Sequence, residues 1–92
     1  MSAALGKVNK IWQVYIIETE NNTLYTGITN DLESRWIAHQ QGKGAKYLRV
    51  HKPKKIVYVE TRESRSVASQ REAEIKNLTR EQKLLLISAQ EI

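Results

Sequence analysis

The 92-residue chain has no cysteine, which excludes a disulfide framework and a thiolate metal site. Packing and hydrogen bonds alone must hold the fold, as suits a reducing cytoplasm. No apolar run reaches membrane-spanning length, and Met1 to Lys10 lacks the hydrophobic stretch of a signal peptide. A soluble, cytoplasmic protein with no membrane partner is therefore expected. There is also no internal repeat, low-complexity tract or linker, and the length is too short for two domains. One compact domain is expected over residues 11–89, preceded by a flexible segment at 1–10.

Acidic residues are missing from one particular stretch. The chain carries 15 Lys and Arg against 10 Asp and Glu, a formal net charge of +5. Between Lys43 and Lys55 stand Lys43, Lys46, Arg49, Lys52, Lys54 and Lys55, with no acid among them. The rest of the chain is nearly balanced, so the whole excess sits in one short connection. Cations grouped in this way suit a polyanion, because each one that neutralises a phosphate releases counterions. The plainer alternative is a solvated loop whose lysines serve solubility.

Trp12 to Glu18 reads W-Q-V-Y-I-I-E, the aromatic and β-branched composition of a strand. Glu20 to Thr23 forms a turn whose two asparagines tolerate positive φ. Leu24 to Thr29 returns as a second strand. Gly27 interrupts that strand, which signals a bulge or a close approach to the backbone. Asn30, with Glu33 three residues on, has the pattern of a capping box, opening a helix from about Asp31 to Gln41 that stops at Gly42. The basic connection follows, then a third strand over Lys55 to Thr61 and a second helix from about Ser66 to Leu78. Thr79 with Gln82 caps a third helix carrying Leu84 to Ile87. The order ββαβαα predicts an α+β domain, a small three-stranded antiparallel sheet flanked by about three helices.

Polar side chains stand where packing residues are expected. On a helical wheel Arg35 and His39 fall within ~60° of Leu32, on the stripe that Leu32 and Trp36 define. The structural alternative has Arg35 reaching solvent and His39 at the rim of the helix end. Tyr15 and Tyr25 sit in paired strands, where tyrosines are usually packing residues. Glu72 and Glu74 point ~160° apart, so at most one faces the sheet. Glu72 lies on the side of Ala68 and Ile75, and an inward carboxylate calls for a cation or a partner.

Together these residues resemble the GIY-YIG nuclease superfamily. Val14-Tyr15-Ile16 and Tyr25-Thr26-Gly27, about ten residues apart on a hairpin, are similar to the family's paired motifs. Asn30 to Gly42 resembles its next helix, with Arg35 and His39 one turn apart, and Arg71 to Thr79 resembles the element that supplies its metal-binding glutamate, here Glu72. Gly42 to Tyr47 and the compact length resemble the small stand-alone bacterial members. The likeness covers Trp12 to Ile87. Gln13, Val14 and Thr26 depart from the motif residues, and Leu84 to Leu86 occupy the neighbourhood where several members carry an asparagine.

The resemblance implies metal-dependent hydrolysis of nucleic-acid phosphodiesters, DNA rather than RNA, with low sequence specificity. It implies that Glu72 holds one Mg²⁺ or Mn²⁺. Arg35 would offer its planar fork to the phosphate. Tyr15 or Tyr25 would orient or deprotonate water, with His39 completing the hydrogen-bond network. A tyrosine base, with a reference pKa of ~10, needs cations beside it, which Arg35 and Lys46 would supply. Gly27, Lys43, Lys46, Arg49, Lys52, Lys54 and Lys55 are the candidate nucleic-acid contacts. The rival expectations are a non-catalytic nucleic-acid-binding module, and a structural or regulatory subunit that pairs with another protein through the Leu84 to Ile87 helix; weak self-association or a partner protein supplying targeting is a further expectation.

Overall fold

The computed structural model describes residues 11–90; the segment 1–10 lies outside them. In chain order the elements are β1 (Trp12–Thr19), β2 (Leu24–Thr29), α1 (Leu32–Gln40), α2 (Tyr47–Val50), β3 (Pro53–Arg62), α3 (Arg65–Lys76) and α4 (Arg80–Gln90). The sheet order is β2-β1-β3, with both pairings antiparallel. This is the expected α+β arrangement, with one further turn of helix, α2, inside the basic connection. Four residues are too few to leave a periodic signal in sequence.

β1 is central and buried on both faces, which is why its sequence is a continuous apolar run rather than a strict alternation. Val14 and Ile16 point to one face and pack with Tyr58, Ala68, Ile75 and Ile87. Tyr15 and Ile17 point to the other and pack with Leu48 from α2, with Leu32 and Trp36 of α1 against them. The helices thus form two layers, α3 and α4 on one side of the sheet and α1 and α2 on the other. Each fully buried aliphatic side chain contributes roughly 1.5–3 kcal/mol of transfer free energy.

Local chemistry sets the boundaries. Asn22 takes φ 64° in the hairpin turn, and the buried Thr19 hydroxyl oxygen accepts from the Asn21 and Thr23 amides. The α1 cap is Asp31, one residue after the Asn30 expected. Its carboxylate accepts from the Ser34 amide at 3.2 Å and the Ser34 hydroxyl at 2.9 Å. A carboxylate satisfies the free amide and also meets the positive end of the helix, which a carboxamide does more weakly. Gly42, at φ 75°, ends α1 as expected. Ser64 caps α3. Thr79 and Gln82 cap α4 reciprocally, each side chain accepting from the other's amide.

β3 begins at Pro53, earlier than Lys55, so Lys54 and Lys55 belong to an edge strand. Exposed lysines there also discourage pairing with another chain. The β1–β3 pairing carries two register shifts, while β1–β2 is regular through Gly27. The glycine therefore marks no bulge. Among the described residues no helix is long and apolar enough to cross a membrane. On α4, Leu86 and Ile87 pack into the core, whereas Leu84 and Leu85 are exposed.

Candidate active site

Strand pairing places Tyr15 opposite Gly27, and Ile17 opposite Tyr25. Two residues along a strand return to the same face, so both phenols rise on the α1 side of the sheet. Their ring centroids lie 6.4 Å apart. Beside them is His39, 2% exposed, whose Nε2 is 2.8 Å from the Tyr15 hydroxyl. The Tyr25 ring meets the imidazole edge-on at 5.7 Å.

Two glycines make room for this group. A Cβ on Gly27 would stand 2.6 Å from the Tyr15 hydroxyl oxygen and 2.8 Å from the carbon bearing it. Close approach is thus the reason for the glycine, and what approaches is the phenol itself. A Cβ on Gly44 would collide with the His39 ring. His39 Nδ1 is buried with no protein partner among the described residues. The residue also lines a second cavity of about 540 Å³ with Arg49 and Lys52.

Around Tyr15 and Tyr25 opens a cleft of about 600 Å³, walled by α1, α3 and the β2 edge. Arg35 and Ser34 enter from α1, Glu72 from α3, and Arg65 from the first turn of α3. The half-turn between glutamates resolves as their angular separation predicts. Glu72 lines the cleft with its side chain 23% exposed, while Glu74 is 65% exposed and pairs with Arg71. Glu72 also pairs with Lys76 at 3.2 Å. Asp31 reaches the cleft, but its carboxylate is engaged in capping α1.

The electrostatics follow from burial. Burial pushes the Tyr15 phenol well above its ordinary value, with Tyr25 and Glu72 adding to it and Arg35 opposing. Tyr25 is also raised by burial, with Lys76 and Arg35 pulling down and Glu72 pushing up. Burial first, then the Arg35 charge, lowers the His39 pKa. Both phenols are therefore protonated and the imidazole neutral at pH 7. In the tautomer that carries its proton on Nδ1, the neutral ring would accept from the Tyr15 hydroxyl at Nε2, leaving the Nδ1–H without a partner among the described residues.

The structure brings together Tyr15, Tyr25, Gly27, Arg35, His39 and Glu72. It leaves the basic connection outside the cleft. Lys43, Lys46, Arg49, Lys52, Lys54 and Lys55 are all exposed. Lys46 precedes α2 and does not line the cleft, and the cation acting on Tyr15 is Arg35.

Sequence reasoning missed Trp12 and Arg65 at one end of the cleft, where the guanidinium lies 5.5 Å from the indole centroid. Nothing local marks that pair, since the two are far apart in sequence and only the packing of α3 joins them. It also missed Lys76, although the i,i+4 spacing from Glu72 was a usable signal.

The motif departures lie away from the chemistry. Val14 is fully buried in the apolar core against α3 and α4. Thr26 pairs with Ile16 and is 3% exposed, its hydroxyl buried without a hydrogen-bond partner among the described residues. Gln13 is half-buried and does not line the cleft.

Known proteins share this architecture. The model of the GIY-YIG catalytic domain matches residues 11–84. A UPF0213 protein of Clostridium perfringens is 52% identical over 79 residues, covering 86% of this chain and 85% of that one. A UPF0213 protein of Staphylococcus epidermidis is 47% identical over 74 residues, 80% of this chain and 90% of the relative. The solution NMR structure of a UPF0213 protein from Bacillus halodurans superposes with a TM-score of 0.56 at 38% identity, covering 86% and 84% of the two chains. With the paired tyrosines, Arg35 and Glu72 gathered on one cleft, these likenesses lead to one conclusion: the chain belongs to the GIY-YIG family, alongside its UPF0213 proteins.

Proposed function

We propose that this protein is a metal-dependent nuclease that hydrolyses phosphodiester bonds in nucleic acid, DNA in preference to RNA, in the cytoplasm and with little sequence specificity. The observation that carries the reading is the convergence of Tyr15, Tyr25, Arg35 and Glu72 on one cleft from four separate elements, β1, β2, α1 and α3. A packing role alone does not require a carboxylate and an arginine to share a wall with two protonated phenols.

The donor set suits a hard divalent cation of one kind. Among the described residues no group of three His, Asp or Glu side chains surrounds a common point. Glu72 is the cleft carboxylate free of a capping role. One carboxylate is enough for Mg²⁺ or Mn²⁺, which keep several waters and take the remaining oxygens from substrate phosphate. When bound there, the ion supplies positive charge at the scissile phosphate and the leaving oxygen.

The rest is the work of side chains. Arg35, without a carboxylate partner among the described residues, is free to fork onto the non-bridging phosphate oxygens. Tyr15 is too basic to persist as phenolate at pH 7, so it acts as a relay. Its hydroxyl oxygen takes a proton from the attacking water as its own proton passes to His39 Nε2. Neutral His39 keeps a lone pair ready for that transfer, which a protonated ring would lack. Tyr25 holds the water or a phosphate oxygen by hydrogen bonding. The exposed cations of the connection and of β3 contact backbone phosphates farther along the strand, which adds affinity without reading sequence.

The decisive experiment compares Glu72→Gln with Glu74→Gln on labelled duplex, branched and single-stranded substrates, with Mg²⁺, Mn²⁺ or chelator. Glu72→Gln should lose several orders of magnitude in cleavage, and Glu74→Gln little. Arg35→Ala should also lose cleavage, and Arg35→Lys should restore little of it. Thermal midpoints measured with and without metal give a readout independent of activity, and the metal-induced rise should vanish only in Glu72→Gln. Full cleavage by Glu72→Gln refutes the mechanism. A non-catalytic binding module would show salt-sensitive binding without cleavage under any condition.

A further inference from the structure

The cleft has an aromatic extension that the chemistry above does not use. Tyr25 lines the cleft. Its ring is stacked with that of Tyr47, which does not line the cleft, their centroids 6.0 Å apart and their planes 21° from parallel. Tyr47 in turn lies 4.4 Å from the His51 ring, tilted by 32°. Three rings thus run in a ladder from the reaction centre to the surface.

The ladder is built by α2. That single turn places positions four apart above one another, and the His51 amide donates to the Tyr47 carbonyl at 2.9 Å. Leu48, 2% exposed, pins the turn into the core. Tyr47 is nevertheless 39% exposed, and its neighbour Val50 is 75% exposed. Apart from its contact with Tyr47, His51 is tethered by an exposed 3.4 Å interaction with the Asn21 side chain. Lys46, Arg49 and Lys52 bracket the two outer rings along the chain, and none has a carboxylate partner among the described residues.

Rings in register, Tyr47 exposed and His51 half-buried, set among unpaired cations, match what a single strand of nucleic acid offers: a flat base on a charged backbone. A base inside a duplex has both faces covered by its neighbours and cannot join such a stack. We infer that the Tyr25–Tyr47–His51 ladder is a subsite for an unpaired nucleobase next to the cleft, with the base stacking on His51 and its phosphates held by Lys46, Arg49 and Lys52. The inference rests on the nuclease reading for the nature of the ligand, and it deepens that reading. It makes the substrate a strand that is single-stranded, flapped or frayed on one side of the cleavage point.

The test is binding, separated from cleavage by chelator. Fluorescence anisotropy with the full chain compares a short labelled single strand with an abasic strand of the same length and charge. Stacking predicts that the base-bearing strand binds about tenfold more tightly. His51→Ala and Tyr47→Leu should each erase most of that preference, and His51→Tyr should keep it, with thermal melting confirming that each variant is folded. Equal affinity for the two strands in the wild type overturns the inference without reference to any variant. Unchanged preference in both variants overturns it as well. Cleavage without base preference would leave the nuclease reading intact and remove the ladder. Base preference without cleavage would keep the ladder and remove the nuclease reading.

Discussion

The two faces of β1 each bury a tyrosine close to ionised groups, and they treat it in opposite ways. On the α3 face, Tyr58 donates to Glu60 at 2.5 Å. Glu60 is clamped by Arg62 and by Arg71, the latter at 2.9 Å, and Arg71 continues to Glu74. Burial pushes the Glu60 carboxyl up, but the hydrogen bonds from Tyr58, Arg71 and Arg62 overcome it and hold its pKa below the ordinary value. Every partner there is satisfied, and the network is closed.

On the α1 face, Tyr15 meets a neutral imidazole, lies across a glycine and borders an open cleft. Its acceptor is a neutral imidazole able to take up a proton, whereas the Glu60 carboxylate is held ionised by its hydrogen bonds. A buried phenol with a fixed anionic partner is a strut. One with a titratable neutral partner beside a cleft can move a proton.

Paired conservative substitutions offer the sharpest way to break this contrast. Tyr15→Phe should lower cleavage by roughly 10²–10⁴-fold, the usual range for a general acid–base group, with only a small change in thermal midpoint. Tyr58→Phe should leave cleavage unchanged and cost roughly 1.5–3 kcal/mol of stability, the net contribution of a hydrogen bond to a charged group. Equal effects of the two substitutions on activity would dissolve the distinction.

Gly27→Ala sharpens it from the backbone side. The added methyl must displace the Tyr15 hydroxyl, because β1 and β2 hold the two residues in direct register. Cleavage should fall by at least tenfold, while stability falls by roughly 1–3 kcal/mol through overpacking. Combining it with Tyr15→Phe, which removes the clashing oxygen, should recover part of the stability and none of the activity. Failure of that recovery would place the clash elsewhere.

The smallest effect is in pH. Burial and Arg35 lower the His39 pKa below its ordinary value of 6.5, so the unfolded state binds the proton more readily. Stability should therefore be undiminished by this group above about pH 6.5 and fall as pH drops below it. His39→Gln should flatten that slope. The Glu60 network should weaken only at lower pH, as pH falls below the ordinary carboxyl value of 4.5. Urea titrations of wild type and His39→Gln between pH 7 and pH 5 would show it, and identical slopes would rule out His39 as the titrating group.

Much of this protein was already written in the local chemistry of its chain. The strand composition of Trp12 to Glu18, the stop at Gly42 and the reciprocal cap of Thr79 and Gln82 each depend on neighbours within a few residues. The assignment of Glu72 to the inside and Glu74 to the outside needed only helical geometry, because a two-residue step is more than half a turn. The gathering of Tyr15, Tyr25, Arg35 and Glu72 was legible through motif order along the chain. Tertiary structure alone decided what those residues experience. It fixed the closure of His39 onto Tyr15, the displacement of Lys46 from the cleft and the stacking of Arg65 on Trp12. It also built α2, which carries Tyr47 and His51 into line with Tyr25. These arise between segments far apart in sequence, and burial, which shifts the phenols and the imidazole, is a property of the whole packed domain that no window of residues contains.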